Sequence, residues 1–234
     1  MTEITRLFDF PYYQLEKYNL KAALVTKKNG EWIKTSTQDY IDRANDISRA
    51  LIRLGIQKDN KIAVISSTNR TEWNIMDVGI LQTGAQNIPI YPTLCAEDYA
   101  YVLNHSESIY CFVSDKEVYD KVKKVQANTQ VKEVFSFDHI EGCKHYSELF
   151  ELGKDMSNNT ELEARKNEVL PEDLATIIYT SGTTGKPKGV MLTHHNITSN
   201  VLNAIDRLPL IMGADSRVLS FLPICHIFER VLIY

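Results

Sequence analysis

Short apolar runs alternate with stretches of helical period along the first 137 residues, and this alternation constrains the fold more than any other feature. Ala22-Ala-Leu-Val-Thr26 and Glu31-Trp-Ile-Lys-Thr35 flank Asn29-Gly30, a strong two-residue turn signal, which predicts a hairpin. From Thr37 to Leu54, apolar Ile41, Ala44, Ile47, Ala50, Leu51 and Leu54 recur at three- and four-residue steps, and Gly55 ends the helix they predict. Strands follow at Lys61–Ser66, Asn87–Tyr91, Ile109–Val113 and Val131–Phe137. Helices are expected at Thr71–Gly84, Glu97–Asn104 and Lys116–Gln126. Pro89 and Pro92 push the Asn87 strand toward a sheet end. The alternation predicts an α/β fold, with largely parallel sheets flanked by helices on both faces. Polar residues 154–167 read as a solvent-exposed connector. Beyond it come a strand at Leu174–Tyr179, a helix at Ile197–Ile205 capped from Thr193-His-His-Asn196, and a strand at Arg217–Leu222 ending at Pro223.

Chemistry concentrates after the Leu174 strand, in Tyr-Thr-Ser-Gly-Thr-Thr-Gly-Lys-Pro-Lys-Gly-Val-Met, residues 179–191. Glycine lets the backbone approach a ligand closely, and successive N–H groups can then converge on phosphate oxygens. Thr180, Ser181, Thr183 and Thr184 add hydroxyl donors; Lys186 and Lys188 add charge. The spacing excludes Gly-x-x-x-x-Gly-Lys-Ser/Thr and Gly-x-Gly-x-x-Gly. It also excludes the Gly-x-Ser-x-Gly nucleophile elbow, since Tyr179 stands where the first glycine belongs. The plain alternative is a polar surface turn, but a long Thr/Ser/Gly/Lys run after an apolar strand is rare in such turns.

The 234 residues carry 44% hydrophobic and 24% charged side chains, an ordinary globular composition. A net charge of −4 gives no basic footprint for nucleic acid. Cysteines at 95, 111, 143 and 225 lack Cys-x-x-Cys spacing and fit a reducing cytoplasm. The first residues, with an early acid and no apolar core, are not expected to be a signal peptide. No run approaches the ~18 apolar residues of a membrane span. Peripheral membrane contact and oligomeric state are left open. No His/Asp/Glu cluster has metal-ligand spacing, so no metal ligand is assigned.

Residues 179–190 closely resemble the AMP-binding signature of the acyl-adenylate-forming superfamily, which includes acyl-CoA synthetases and the adenylation domains of peptide synthetases. Phe221-Leu-Pro-Ile-Cys-His-Ile-Phe-Glu-Arg230 is similar to that family's Leu-Pro-x-x-His motif. With Gln82–Thr93 and Tyr101–Glu107, it looks most like the long-chain fatty acyl-CoA synthetases. The resemblance covers roughly residues 20–234. It implies ATP-dependent activation of a fatty acid through an acyl-adenylate to acyl-CoA. ATP, Mg2+ from solution and coenzyme A would be the small-molecule participants. It implies nucleotide contacts from Thr180, Ser181, Gly182, Thr183, Thr184, Gly185, Lys186 and Lys188, and catalytic roles for Lys188 and His226. Lys186 is the weaker contact.

From the residues alone, His226 reads equally well as a satisfied core or capping residue. A Cys225–His226 dyad is disfavoured, because neighbours in an extended segment point to opposite faces. His194 and His195 are expected to cap the helix after the loop; His105, His139 and His145 are expected to be solvated. The apolar ending Val231-Leu-Ile-Tyr234 is read as a cut inside a larger domain, its alternative being a tail docked on its own core. Residues 1–234 are thus expected to be the N-terminal part of an AMP-binding large domain, with a connector near 154–170. The resemblance puts the adenine, ribose and catalytic-lysine motifs beyond the chain, which is therefore expected to be inactive alone. Aryl- or amino-acid-activating relatives, and a truncated non-catalytic homologue, are the rival readings.

Overall fold

The computed structural model describes residues 3–180, 186–207 and 216–234. Helix α1 (Asp9–Lys17) precedes a hairpin of β1 (Leu24–Lys28) and β2 (Glu31–Thr35), and α2 (Thr37–Arg53) follows. The chain then alternates through β3 (Lys61–Ile65), α3 (Thr71–Leu81), β4 (Gln86–Ile90), α4 (Ala96–His105), β5 (Ser108–Val113), α5 (Lys116–Gln126), β6 (Glu133–Ser136) and β7 (Lys144–His145). Helix α6 (Ser147–Gly153), a 3-10 turn and α7 (Asn159–Glu168) lead to β8 (Leu174–Thr180), β9 (Lys188–Thr193), α8 (His194–Arg207) and α9 (Ile227–Leu232). Strands β3 to β9 form one sheet in the order β7-β6-β5-β3-β4-β8-β9. Its ladders are parallel except β8–β9. This is the α/β class the alternation predicts.

Strand periodicity divides the core between the two faces. Ile62, Val64, Tyr110 and Phe112 join the cluster made with α2 and α3. Their neighbours Ala63, Ile65, Cys111 and Val113 join the cluster made with α4 and α5. Local signals set the helix and turn boundaries. Ser36 and Asp39 form a reciprocal capping box on α2. Asn29 and Gly30 both take positive φ, 52° and 86°, as a primed hairpin turn requires.

Several expectations need correction. Strand β4 lies inside the sheet, between β3 and β8, rather than toward its end. Pro89 is tolerated because the β4–β8 ladder is confined to Asn87 opposite Thr176, so no ladder bond on that side needs its missing N–H. Residues 154–168 are largely exposed but folded: α7 buries Leu162, and Arg49 donates to Asn159 Oδ1 at 3.0 Å. Residues 217–222 form no strand; Val218, Leu219 and Phe221 are exposed, with no strand beside them among the described residues. Strand β9 was not anticipated, since its Lys-Pro-Lys-Gly start reads as loop. The apolar ending needs no correction, since its packing is compatible with both readings: Val231, Ile233 and Tyr234 lie against the core, and the Tyr234 ring centroid is 5.5 Å from that of Phe10.

His194 is a further correction. Thr193 and Asn196 cap α8 reciprocally, at 3.1 and 3.0 Å, while His194 is only 1% exposed. Its Nδ1 accepts from the Leu7 amide at 3.2 Å and its ring meets Phe8 edge-on. Burial, reinforced by the Arg230 and Arg6 charges, lowers its pKa to about 3. The unfolded chain therefore takes up a proton below the ordinary value of 6.5 that the folded chain refuses until near 3. The stabilisation is complete above pH 6.5 and falls through that window, by at most about 1.4 kcal/mol per pH unit. Urea unfolding at pH 7 and pH 5 is expected to show a lower midpoint at pH 5, and His194→Gln should reduce that difference.

Candidate functional site

Strand β8 delivers the glycine-rich loop, and β9 takes the chain back. The antiparallel ladder runs from Leu174–Thr193 to Thr180–Lys188, the last described pair before the glycine-rich segment. Ser181, Gly182, Thr183, Thr184 and Gly185, five of the expected nucleotide contacts, lie outside the described residues. Thr180 and Lys188 face each other across the ladder and are both exposed, placing a hydroxyl and an ammonium on one face at the loop's mouth. Lys186 is turned toward α4, its Nζ 5.5 Å from the centroid of the Tyr101 ring. Gly189 is required at its position: a Cβ there would stand 2.7 Å from Ile177 Cγ2 and 3.3 Å from the Tyr179 ring.

Because β8 runs parallel to β4, its carboxyl end opens on the same sheet edge as β3 and β4. That edge is where open α/β sheets bind ligands. The His226 segment is pinned there. Asn69, in the turn after β3, donates to Leu222 O at 2.7 Å and Ser220 Oγ at 2.6 Å and accepts from the Ile224 amide at 3.1 Å. Glu229, 2% exposed, accepts from Ser220 Oγ and from Asn69 Nδ2 at 3.3 Å. His226 itself is exposed and caps α9, its Nδ1 accepting from the Phe228 amide at 3.2 Å. The capping reading of His226 is thus realised, and only Nε2 is left for a ligand. No hydrogen bond joins His226 to Thr180 or Lys188 among the described residues.

A buried ion pair holds α9 in place. Asp77 and Arg230 are 1% and 0% exposed. Arg230 donates to Asp77 from Nε at 3.2 Å and Nη2 at 2.6 Å; Asn87 Nδ2 adds a bond at 2.6 Å and the Tyr234 hydroxyl another. Burial opposes the Arg230 charge, but Asp77 and Tyr234 together more than offset it and raise its pKa. The signal for this network was available in the sequence: Asp77 is a lone charge among the apolar residues of Trp73–Leu81.

The remaining histidines are not simply solvated. His105 Nδ1 lies 2.8 Å from Tyr179 Oη. His145 stacks on His139 at 3.7 Å and bonds Ser147 Oγ and Phe137 O. Burial pushes the Cys225 thiol up to about 12, which removes it as a thiolate nucleophile near neutral pH. Among the described residues no group of three His, Cys, Asp or Glu side chains could hold a metal ion, and no helix is long and apolar enough to cross a membrane.

A seven-stranded, mostly parallel sheet flanked by helices, with a β8–β9 hairpin at its carboxyl edge, defines a protein of the α/β class. Comparison gives the family: the AMP-binding enzyme family matches residues 12–234, and the chain belongs to it. Fatty acyl-CoA synthetase A of Dictyostelium discoideum is 33% identical over 227 residues, covering 92% of this chain and 32% of the synthetase. Long-chain-fatty-acid–CoA ligase FadD15 of Mycobacterium bovis is 32% identical over 205 residues, covering 87% of this chain and 34% of the ligase. The chain therefore spans about a third of these curated relatives. The crystal structure of a long-chain-fatty-acid–CoA ligase, FadD1, from Archaeoglobus fulgidus shares the fold over the whole chain, with a TM-score of 0.82 at 24% identity and 45% of that chain covered.

Removing one partner of a buried pair strands the other. Asp77→Ala is expected to lower the unfolding free energy by about 3–5 kcal/mol. The double variant Asp77→Ala/Arg230→Met should cost less than the sum of the two singles. Urea unfolding of the three variants measures this coupling; strict additivity would mean the pair is not coupled.

Proposed function

We propose that the gene-length protein is an AMP-forming ligase that activates a long-chain fatty acid with ATP and passes the acyl group to coenzyme A. The observation that carries this reading is the loop between β8 and β9, with Thr180 and Lys188 opposed at its mouth on the carboxyl edge of the sheet. The resemblance of residues 221–230 to long-chain enzymes, and the similarity to fatty acyl-CoA synthetases, support the acyl class. Residues 1–234 are then the N-terminal part of the large domain, including its phosphate loop but not a full active site. Alone they are expected to be inactive. The scattered cysteines, all free, favour a cytoplasmic setting.

In the first step a carboxylate oxygen attacks the α-phosphorus of ATP. The bond to the bridging oxygen of pyrophosphate breaks, and acyl-adenylate and pyrophosphate result. In the second, the thiolate of coenzyme A attacks the acyl carbon and AMP leaves. Two anions must meet in the first step, so the protein's work is alignment and charge compensation. Thr180, Ser181, Gly182, Thr183, Thr184 and Gly185 would supply amides and hydroxyls to the phosphates, and Lys188 a fixed positive charge. Lys186 would contribute less, since its ammonium is directed at Tyr101. His226 would border the acyl and phosphate groups through Nε2. Magnesium would offset phosphate charge when bound, but the described residues offer no ligand set for it, and no step is assigned to it.

The test is acid-dependent exchange of pyrophosphate into ATP by the gene-length protein, with long-chain, short-chain, aryl and amino acids supplied separately. Exchange confined to long-chain acids is expected. Exchange with another class would reassign the substrate, and silence with all would favour a non-catalytic homologue. Lys188→Ala is expected to slow single-turnover adenylation about 100-fold or more. An unchanged rate would remove Lys188 from the site.

A further inference from the structure

One helix holds both ends of the hairpin loop. Tyr101 and His105 are four residues apart on α4 and so share a face. Their rings stack with centroids 5.4 Å apart. His105 Nδ1 meets Tyr179 Oη at 2.8 Å, and the two rings pack edge to face. Tyr101 donates from its hydroxyl to Pro187 O at 3.2 Å, and its ring carries Lys186 Nζ at 5.5 Å. Tyr179 stands just before the last residue of β8, and Pro187 just before the first residue of β9. Burial raises the Tyr179 phenol to about 12, so it keeps its proton near neutral pH. The contact closes with either partner as donor, since a phenol both donates and accepts and the ring nitrogen's role follows its tautomer.

These contacts are not needed to pair the strands, since the β8–β9 ladder extends from Thr180–Lys188 back to Leu174–Thr193. Their effect is local: they fix where the chain leaves and rejoins the sheet relative to α4, which packs in the cluster that also holds Tyr179. Misplacement of a positioned group by about 1 Å can cost 100-fold in rate. A loop that must aim amides at phosphate oxygens therefore gains from having both ends fixed to one rigid helix. We propose that Tyr101 and His105 are positioning residues for the phosphate loop, holding its two ends through Pro187 and Tyr179. This rests on the nucleotide-binding reading of the loop.

Three substitutions test it: Tyr101→Phe removes one oxygen, His105→Leu removes the ring nitrogen that meets Tyr179, and His105→Asn restores a polar group near the Nδ1 position. In the gene-length protein, Tyr101→Phe and His105→Leu are expected to raise the KM for ATP in pyrophosphate exchange about tenfold. The KM for the fatty acid and the melting temperature should change little, and His105→Asn should recover most of the loss. In the 234-residue chain, backbone 15N order parameters at Thr180, Lys186 and Lys188 should fall in the first two variants and stay constant elsewhere. Unchanged order parameters with an unchanged KM for ATP would overturn the proposal. Reduced order parameters in a protein whose wild type binds no ATP would uphold the clamp and overturn the nucleotide reading instead.

Discussion

A carboxylate cannot be carried into a protein interior without donors to receive its charge, and Asp77 meets that requirement from two elements and from Tyr234 beyond them. Arg230 of α9 supplies two bonds, Asn87 of β4 one, and Tyr234 another. The constraint works in both directions. Asp77 sits on a helix whose neighbouring residues are almost all buried, so its charge has no route to water. Arg230, fully enclosed over the Trp73 ring, is equally captive. Each therefore fixes the other, and with them the position of α9 against α3 and β4. Helix α9 has six residues and would not hold together unaided; its conformation is set by this pair and by the His226 cap.

The same helix carries Glu229, which gathers Ser220 and Asn69. Asn69 in turn bonds Leu222 and Ile224. A buried charge in the core is thereby linked, through side chains of known partners, to the path of residues 220–226 over the carboxyl edge. On the other face of the sheet, α4 takes the corresponding role for the β8–β9 hairpin through Tyr101 and His105. The two segments that resemble family motifs are thus held from opposite faces: one by an ion pair and an amide, the other by an aromatic cluster.

Legibility in the sequence followed the range of the forces involved. Period-2 and period-3.6 patterns reflect burial that each element experiences locally, and they delimit α2, α5 and the hairpin at Asn29-Gly30 to within a few residues. The order of strands is a property of long-range pairing, and Pro89 misleads there because its local meaning, a missing donor, says nothing about which neighbour is present. Strand β9 was hidden for a related reason: Val190 and Met191 are exposed on an outer strand, so no alternation marks them. Histidines were the least legible. His194 and His105 sit among polar sequence neighbours and His226 among apolar ones, yet one is a buried acceptor for an amide, one bonds a phenol and the exposed His226 caps a helix. The loop itself was conspicuous because its composition is dictated by backbone approach and donor density, which are local needs; Tyr101 and His105 lie 86 and 74 positions upstream of their partners Pro187 and Tyr179 and carry no local mark.

The two lysines of the loop show how placement separates side chains of the same charge. Lys186 lies over the face of Tyr101, an attraction of about 0.5–1 kcal/mol at an exposed site. That is enough to bias the ammonium toward α4 and away from an anion at the loop's centre. Lys188 has no such partner among the described contacts, but its backbone is fixed by ladder pairing with Thr180, and Pro187 before it is held through its carbonyl. A charge that must act on a developing negative charge is most effective when its anchor does not reorganise during the reaction. Lys188 combines a ladder-paired backbone with a side chain that has no partner among the described contacts, whereas Lys186 lies outside the ladder with its side chain directed at Tyr101. On that physical ground the second lysine, not the first, is the better placed to meet a phosphate.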